Sequence, residues 1–163
     1  MDVDHILDTL NRRGVDYLLI GGMNFLLRHA PVLTYDVDLW IADTPANRRR
    51  CEAALAELQA EWGATEAAWG PVAALPAGWP GRQDVYCLTS PAGAVDIFRA
   101  VKGLGAWETA RARAVAGVTG AGTAFGALSD EDMLRSQEAL PAAEQNTERL
   151  RRLRQALRER RHD

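Results

Sequence analysis

The spacing of hydrophobic and polar residues changes several times along the first third of the chain. Ile6, Leu7 and Leu10 recur at the spacing of a helix that Asp2 or Asp4 could cap, and Gly14 follows where a C-terminal glycine would end it. The next segment, "VDYLLI" at 15–20, is almost continuously apolar and predicts a strand. It stops at a pair of glycines, after which "MNFLLRH" returns to helical spacing. The pattern therefore predicts a helix, a strand, a glycine turn and a second helix.

A second apolar run, "PVLTYDVDLWIA" at 31–42, predicts another strand but contains two acids. Because side chains alternate between the faces of a strand, Asp36, Asp38 and Trp40 share one face and the apolar residues between them share the other. Two carboxylates on one face lie about 7 Å apart. At an effective dielectric constant near 20, their repulsion is roughly 2 to 3 kcal/mol. A positive charge is therefore expected beside them.

The rest of the chain predicts a long helix from Thr44-Pro45 to Gly63, a loop over 64–83 that covers the site, and a series of shorter elements. These are strand 84–89, turn 90–93, strand 94–100, a helix over 107–115, a strand or hairpin over 118–129, a helix starting at Ser129 and a last helix over 142–160. There is no internal repeat and no long linker. We therefore expect one α/β domain over 1–163, with C-terminal helices from about residue 129.

Composition narrows the class of protein without indicating a function. The chain has 163 residues, of which 47% are hydrophobic and 25% charged, and these values are typical of one soluble globular domain. Its longest apolar stretch is interrupted by glycines, and its acidic N-terminus differs from a secretory signal. We expect no membrane contact and a cytoplasmic location.

The charge is unevenly distributed along the chain. The formal net charge is -3, which gives no overall attraction to nucleic acid, but the C-terminal "ERLRRLRQALRERRHD" is dense in arginine. Such a segment is commonly the solvated face of a helix, and it can also bind RNA or a protein partner. Both interpretations remain open at this point.

Three weak signals converge on one kind of chemistry. Gly21 and Gly22 lie between a strand and a helix, where backbone N–H groups and the helix N-terminus can approach a phosphate closely. Asp36 and Asp38 suit divalent cations, and Asp96 in "AVDIFRA" is a third acid inside an apolar strand. Three carboxylates can lie close together only with cations among them, and those cations also neutralise a triphosphate. Together they predict a two-metal site for phosphoryl transfer.

Each signal also has a purely structural explanation. A glycine pair is commonly only a turn, paired acids on a strand can serve solubility, and Asp96 could form an ion pair with Arg99. Trp40 could stack on a base, although a half-buried tryptophan is usually a packing residue. His29 lies near the proposed site, where a histidine at a helix C-terminus needs no further role.

The lines "YLLIGGMNFLL", "TYDVDLWI" and "GAVDIFRAV" resemble, in this order, the signature of nucleotidyltransferases of the DNA polymerase β type. That signature is a strand, a glycine turn, a helix, Asp-x-Asp and a distant third Asp. The likeness covers about residues 14–140. In addition, "ALSDEDML" resembles a segment of small prokaryotic nucleotidyltransferase-like proteins, including those akin to AbiEii-type toxins. The resemblance implies a nucleotidyltransferase fold, a mixed sheet flanked by helices with a helical C-terminus.

The resemblance also implies a role for each matching position. These positions are Asp36, Asp38, Asp96, Gly21, Gly22 and Thr34. The three aspartates would bind two Mg²⁺ ions, and the last of them would also help to deprotonate the acceptor. The glycines would hold the nucleoside triphosphate (NTP), and the threonine would shape the start of the strand. A hydroxyl of RNA, protein or a small molecule would then displace pyrophosphate from the α-phosphate.

Two positions depart from the family pattern. Val32 or Leu33 stands where relatives often have an arginine, and Arg28 is a candidate replacement. Gln137 stands where many relatives have a lysine that reaches the nucleotide, and an amide cannot offset phosphate charge as an ammonium does. Arg135 or the distal arginines would have to supply that charge.

Three interpretations follow. The leading one is a Mg²⁺-dependent nucleotidyltransferase that transfers a nucleoside monophosphate (NMP), with a toxin role and a cognate antitoxin implied by the AbiEii likeness. The first alternative is a catalytically inactive nucleotide-binding or partner-binding module of the same fold, which Gln137 would favour. The second is a structural member of an operon pair that docks through its arginine-rich helix.

Overall fold

Residues 1–162 are described by the computed structural model, and they form helices and strands in mixed order. The α-helices are Val3–Arg12 (α1), Gly21–Arg28 (α2), Pro45–Glu57 (α3), Trp107–Ala112 (α4), Asp130–Glu138 (α5) and Thr147–Arg160 (α6). The strands are Tyr17–Ile20 (β1), Asp36–Ile41 (β2), Glu61–Trp62 (β3), Gly70–Pro71 (β4), Val85–Leu88 (β5), Ala94–Phe98 (β6), Val115–Val118 (β7) and Ala124–Ala127 (β8). None of these helices is both long and apolar enough to cross a membrane.

Local chemistry sets several helix ends as predicted. The Asp2 carboxylate accepts a hydrogen bond from the His5 amide and caps α1, and Gly14 follows its end with φ of +68°. The Thr44 hydroxyl caps α3, whose first residue is a proline. The Ser129 hydroxyl caps α5 in the same way.

A six-stranded sheet forms the centre of the protein, with strand order β5-β6-β2-β1-β8-β7. β2 is parallel to β6 and antiparallel to β1, and β1 is parallel to β8, so the sheet is mixed. The register places Asp38 beside Asp96 across β2 and β6, and beside Ile20 across β1 and β2. The predicted α/β class is confirmed, and the two acidic strands are neighbours.

Apolar side chains cover the two faces of the sheet unequally. Val37, Leu39 and Ile41 are fully buried in a core that also contains residues of α1 and α3. On the other face, Trp40 is 1% exposed and packs with residues of α2, α5 and α6. Asp36 shares that face but is only half-buried. The second face is therefore covered at one end of β2 and open at the other.

Contacts with distant segments change where two of the predicted elements begin or end. The strand predicted over 31–42 begins only at Asp36, because its partner β6 begins directly opposite. The helix predicted to end at Gly63 stops at Glu57, where Gln59 adopts a φ of 55° and the chain turns back. β3 then pairs with β4, and this pairing cannot be read from the helical spacing that precedes it.

The C-terminal third follows the predicted order with several corrected boundaries. The helix predicted over 107–115 ends at Ala112, and the strand or hairpin predicted over 118–129 is the β7-β8 hairpin, which already begins at Val115. The helix at Ser129 is α5. The helix predicted over 142–160 starts only at Thr147, because a 3₁₀ turn precedes it and the Asn146 side chain caps it. α6 is therefore a separate helix that packs on α5.

The loop predicted to cover the site, residues 64–83, lies instead on the opposite face of the sheet. Val72 and Trp79 in this loop are 2% and 4% exposed and belong to the core that contains α1 and α3. The Tyr86 hydroxyl donates a hydrogen bond to the Trp79 carbonyl. The expectation was wrong because the apolar residues of this loop complete the core, where their burial is favourable.

Candidate active site

The three acids, which the sequence places on two strands, form one cluster at the uncovered end of β2. Asp36 and Asp38 come from β2 and Asp96 from the adjacent β6, and strand alternation places them on the same face. One carboxylate oxygen from each residue lies within 4.8 Å of the other two, and all three side chains are half-buried. Oxygen donors at this spacing can share divalent cations such as Mg²⁺.

Gly21 brings the start of α2 against this cluster. Its φ is +65°, and a Cβ atom at this position would overlap Asp38 Oδ2, so glycine satisfies both the backbone conformation and the close approach. α2 begins at this residue without an intervening turn, and no side chain caps it. The unpaired N–H groups of its first turn therefore lie beside the acids, where they are suited to a phosphate.

Thr34 and Gly22 fix the segment that precedes β2 against α2. The Thr34 hydroxyl donates a hydrogen bond to the Asp36 carbonyl at 3.3 Å. Its oxygen lies 2.9 Å from the position that a Cβ on Gly22 would occupy. A larger residue in place of this glycine would therefore push the threonine away and change the path of the chain toward Asp36.

The cluster is strained electrostatically without a cation. Burial, together with the charges of Asp36 and Asp96, raises the pKa of Asp38 to about 7. Burial and the charge of Asp36 also raise the pKa of Asp96 to about 6. Two carboxyls with raised pKa values, side by side in a cleft, are typical of functional sites. A bound divalent cation would favour their ionised forms.

Arg149 of α6 supplies a positive charge next to this cluster. Its Nη2 lies 3.2 Å from the position that a Cβ on Gly22 would occupy, and its guanidinium lies 5.8 Å above the Phe25 ring. Its Nε is buried and has no hydrogen-bond partner among residues 1–162. Burial lowers the pKa of Arg149, while the charges of Asp38 and Asp36 act in the opposite direction. The Nη2 end of the side chain thus places a donor beside Gly22.

A cleft of about 410 Å³ opens beside the acids and Arg149. Its lining includes the charged residues Asp38 and Arg149 and the apolar residues Val85, Phe98, Val101 and Leu140, together with Gly21. Ser136, Gln137 and Lys102 also line it. The volume is in the range of small-molecule sites, which commonly combine an apolar lining with a few charged or polar groups.

The structure shows where Gln137 and the two candidate replacement cations, Arg135 and Arg28, lie. Gln137 lines the cleft, and its Oε1 accepts a hydrogen bond from the Asn146 amide at 3.3 Å, which ties α5 to the start of α6. Arg135 pairs with Asp132 at 2.8 Å. Arg28 binds the Leu128 carbonyl and Asp130. Arg135 and Arg28 are therefore held by other partners, and a distal arginine, Arg149, reaches the site.

Three further alternatives raised by the sequence are resolved. Arg99 pairs with Asp43 at 3.0 Å, so it is not the ion-pair partner of Asp96. Trp40 is 1% exposed and its indole donates to the Arg99 carbonyl, so it is a packing residue with no face free for a base. His29 Nε2 lies 2.7 Å from Asp130, away from the acid cluster.

Two residues of the cleft, Arg149 and Lys102, are not identified by the sequence pattern. Arg149 is one of seven arginines in the last eighteen residues, and nothing in the helical spacing separates it from the others. Its position depends on how α6 packs on α5 and α2. Lys102 can be distinguished from the other cations in the sequence in one way, because it is the only lysine.

Comparison with known proteins identifies the fold. No protein-family model matches the chain, and no curated protein sequence matches it. The crystal structure of ANT(2")-Ia in complex with adenylyl-2"-tobramycin is similar with a TM-score of 0.60 and 16% identity, covering 95% of this chain and 87% of that one. The solution structure of the antibiotic-resistance factor ANT(2'')-Ia gives a TM-score of 0.57 and 16% identity, covering 99% and 95% of the two chains.

A third similar structure is TM1012 from Thermotoga maritima, reported as a candidate nucleotidyltransferase. The TM-score is 0.52 at 18% identity, and the match covers 94% of this chain and 89% of that one. At these identities the likeness establishes a shared fold, and function must be argued from the site. The expected nucleotidyltransferase fold is therefore confirmed.

Proposed function

We propose that the protein is a Mg²⁺-dependent nucleotidyltransferase that transfers an NMP from an NTP to a hydroxyl acceptor. The observation that carries this proposal is the meeting of three carboxylates from two adjacent strands, within 4.8 Å of one another, beside the uncapped start of α2. The same fold in ANT(2")-Ia, solved with an adenylylated product, is consistent with this chemistry.

The donor set fits Mg²⁺. All three ligand groups are carboxylates, which are hard oxygen donors, and their mutual repulsion is relieved by divalent cations. We propose that Asp36, Asp38 and Asp96 hold two Mg²⁺ ions. When bound, the metal supplies positive charge that neutralises the phosphates and activates the attacking oxygen.

The other groups of the site bind and orient the nucleotide. The N–H groups of the first turn of α2, exposed by Gly21 and Gly22, would bind the phosphate chain, and Thr34 would keep this turn in place. Arg149, whose Nη2 lies beside Gly22, would donate hydrogen bonds to the same phosphates and would supply the charge that Gln137 lacks.

The proposed reaction displaces pyrophosphate in one step. The hydroxyl oxygen of the acceptor attacks the α-phosphorus, its proton passes to Asp96, and the bond from the α-phosphorus to the bridging oxygen breaks. A carboxylate that the cations keep ionised can accept this proton as a general base. The nature of the acceptor, the toxin role and the cognate antitoxin implied by the AbiEii likeness stay predictions.

Thermal unfolding with each NTP, with and without Mg²⁺, tests nucleotide binding. A ligand at 100 times its Kd stabilises a protein by about 2.7 kcal/mol, so the wild type should show a clear Mg²⁺-dependent rise in Tm. Asp36→Asn/Asp38→Asn should show none. A rise of equal size in both proteins would contradict the role of these acids. No rise with any NTP would favour the inactive, partner-binding alternative.

Two further substitutions separate binding from catalysis. Asp96→Asn should abolish NMP transfer and leave part of the nucleotide binding intact. Arg149→Gln should weaken binding of NTP about tenfold or more, since hydrogen bonds to charged groups contribute about 1.5 to 3 kcal/mol. Arg161→Gln is the matched control, because this arginine lies after the end of α6 and away from the cleft. Full transfer activity in Asp96→Asn would remove that residue from the mechanism.

A further inference from the structure

The cleft contains a cation that the proposed roles leave unassigned. Lys102 is the only lysine in a chain that otherwise uses arginine for its positive charges. It follows β6, the strand that carries Asp96, and lines the cleft together with Asp38, Gly21 and Arg149. The only lysine of the chain thus lines the cleft beside the acid cluster.

The backbone at Lys102 is fixed by its neighbours. Val101 and Leu104 pack against the core that contains Trp40, and the Leu104 amide donates to the Val101 carbonyl at 3.1 Å, which closes a turn. Gly103 has φ of +80°, and a Cβ there would lie 2.5 Å from Ala139 Cβ. The turn therefore packs tightly against α5, and its glycine permits both the conformation and the contact.

The side chain of Lys102 is exposed and unpaired. Among residues 1–162, every salt bridge is formed by an arginine or by His29, and none involves this lysine. An ammonium on a flexible stem that emerges from a rigid turn can reach an anion across the cleft. An arginine would be less suited, because its planar group demands a fixed geometry.

We infer that Lys102 binds the phosphate chain of the nucleotide, opposite Arg149, and so supplies from the turn after β6 the ammonium that the family pattern places where this chain has Gln137. This inference rests on the proposed function. The two cations hold the phosphate chain from two walls of the cleft, with Arg149 on the side of α2 and Lys102 on the side of β6.

The presence of only one lysine allows a direct footprint that needs no catalysis. A succinimidyl ester acylates the primary amines of the chain, which are the ε-amino group of Lys102 and the α-amino group of Met1. Acylation of each is followed by mass spectrometry with Mg²⁺ and an NTP, or with Mg²⁺ and inorganic tripolyphosphate. At 100 times the Kd only about one site in a hundred is free, so acylation of Lys102 should slow by an order of magnitude or more. Acylation of Met1 should not change.

The result separates this inference from the proposed function. An unchanged acylation rate at Lys102, in a protein whose Tm rises with Mg²⁺ and NTP, would overturn the inference and leave the proposed function intact. Absence of both effects would overturn both. Protection by the NTP and by tripolyphosphate alike would support contact with the phosphates, whereas protection by the NTP alone would overturn it.

Substitution gives a second and independent test. Lys102→Gln should raise the Kd for the NTP with Mg²⁺ about tenfold and Lys102→Arg by less, because the glutamine removes a charge-assisted hydrogen bond to the phosphates and the arginine keeps the charge. The Kd for an NMP should change less in both variants. Arg49→Gln is the control, since Arg49 is an exposed cation of α3, on the other face of the sheet. An equal Kd in Lys102→Gln and wild type would contradict the inference.

Discussion

At the scale of single residues, the carboxylates of the cleft weaken the protein when no metal is bound. Asp38 has a pKa of about 7 in the folded chain against 3.8 for an ordinary aspartate. Between these values the folded state holds the proton more tightly than the unfolded state, so the free energy of unfolding falls as the pH rises. The loss begins near pH 4 and is complete above pH 7. This loss of stability in the metal-free protein is expected of a site that binds cations.

The first prediction concerns Asp38→Asn in the absence of divalent cations. This variant should unfold at about the same temperature as the wild type at pH 4, and should be more stable at pH 8 by on the order of 1 to 2 kcal/mol after solvent screening. Thermal unfolding across this range in EDTA measures the difference. With Mg²⁺ at pH 8, the wild type should instead be more stable than the variant, because only the wild type keeps all three carboxylate ligands. A wild type more stable than the variant at pH 8 in EDTA would contradict this account.

The second prediction concerns Gly21→Ala. The new Cβ would overlap the Asp38 carboxylate and force a side chain into left-handed backbone, so we expect a loss of about 2 to 5 kcal/mol and loss of the Mg²⁺-dependent rise in Tm. Gly105→Ala is the control, since nothing lies within 4 Å of a Cβ there. Urea unfolding of both variants measures the effect. Equal stability of the two would show that the contact between α2 and Asp38 is unimportant.

At the scale of elements, the first turn of α5 joins the pieces that carry the site. The Asp130 side chain is fully buried and pairs with Arg28, with His29 and with Arg160, which ties α5 to the ends of α2 and α6. Asp132, also fully buried, pairs with Arg113 and Arg135 in the same turn. Because α6 carries Arg149 and α2 carries the glycines, these ion pairs position both sides of the cleft.

The third prediction therefore concerns Asp130→Asn. Removing this charge leaves the cations of α2 and α6 without their partner, and we expect a loss of about 3 kcal/mol or more in the free energy of unfolding. Affinity for the NTP should fall as well, because Arg149 loses its support. Glu131→Gln, at an exposed neighbouring position of the same helix, should change neither quantity. If both substitutions lowered stability and NTP affinity to a similar extent, the ion pairs of Asp130 would not be what positions α2 and α6.

Elements were predicted well where local chemistry determines them. The caps at Asp2, Thr44 and Ser129 and the alternation through β2 required no knowledge of the rest of the chain. The errors arose where a distant segment decides the outcome. The pairing that ends α3 and the burial of Trp79 depend on contacts that a local pattern does not contain.

At the scale of the whole molecule, the arrangement of charge matters more than its sum. The sequence left two interpretations of the C-terminal arginines open, a solvated helix face or a surface for RNA or a partner. In the structure Arg151 and Arg152 pair with Glu148, and Arg154 pairs with Glu138. Three of the seven arginines in this segment are thus paired with carboxylates at the surface of the protein, and Arg149 contributes its charge to the cleft. The three acids were found from the sequence because each interrupts an apolar strand. Their two cationic neighbours were not found, because α6 and the turn after β6 meet at the site only through the tertiary fold.

The most direct test of the central claim is the anomalous diffraction of crystals grown with Mn²⁺ and a non-hydrolysable NTP analogue. The account predicts two Mn²⁺ peaks bounded by Asp36, Asp38 and Asp96, with the phosphates between the start of α2 and Arg149. Nucleotide bound at another place, or bound in the cleft without metal at these carboxylates, would contradict it.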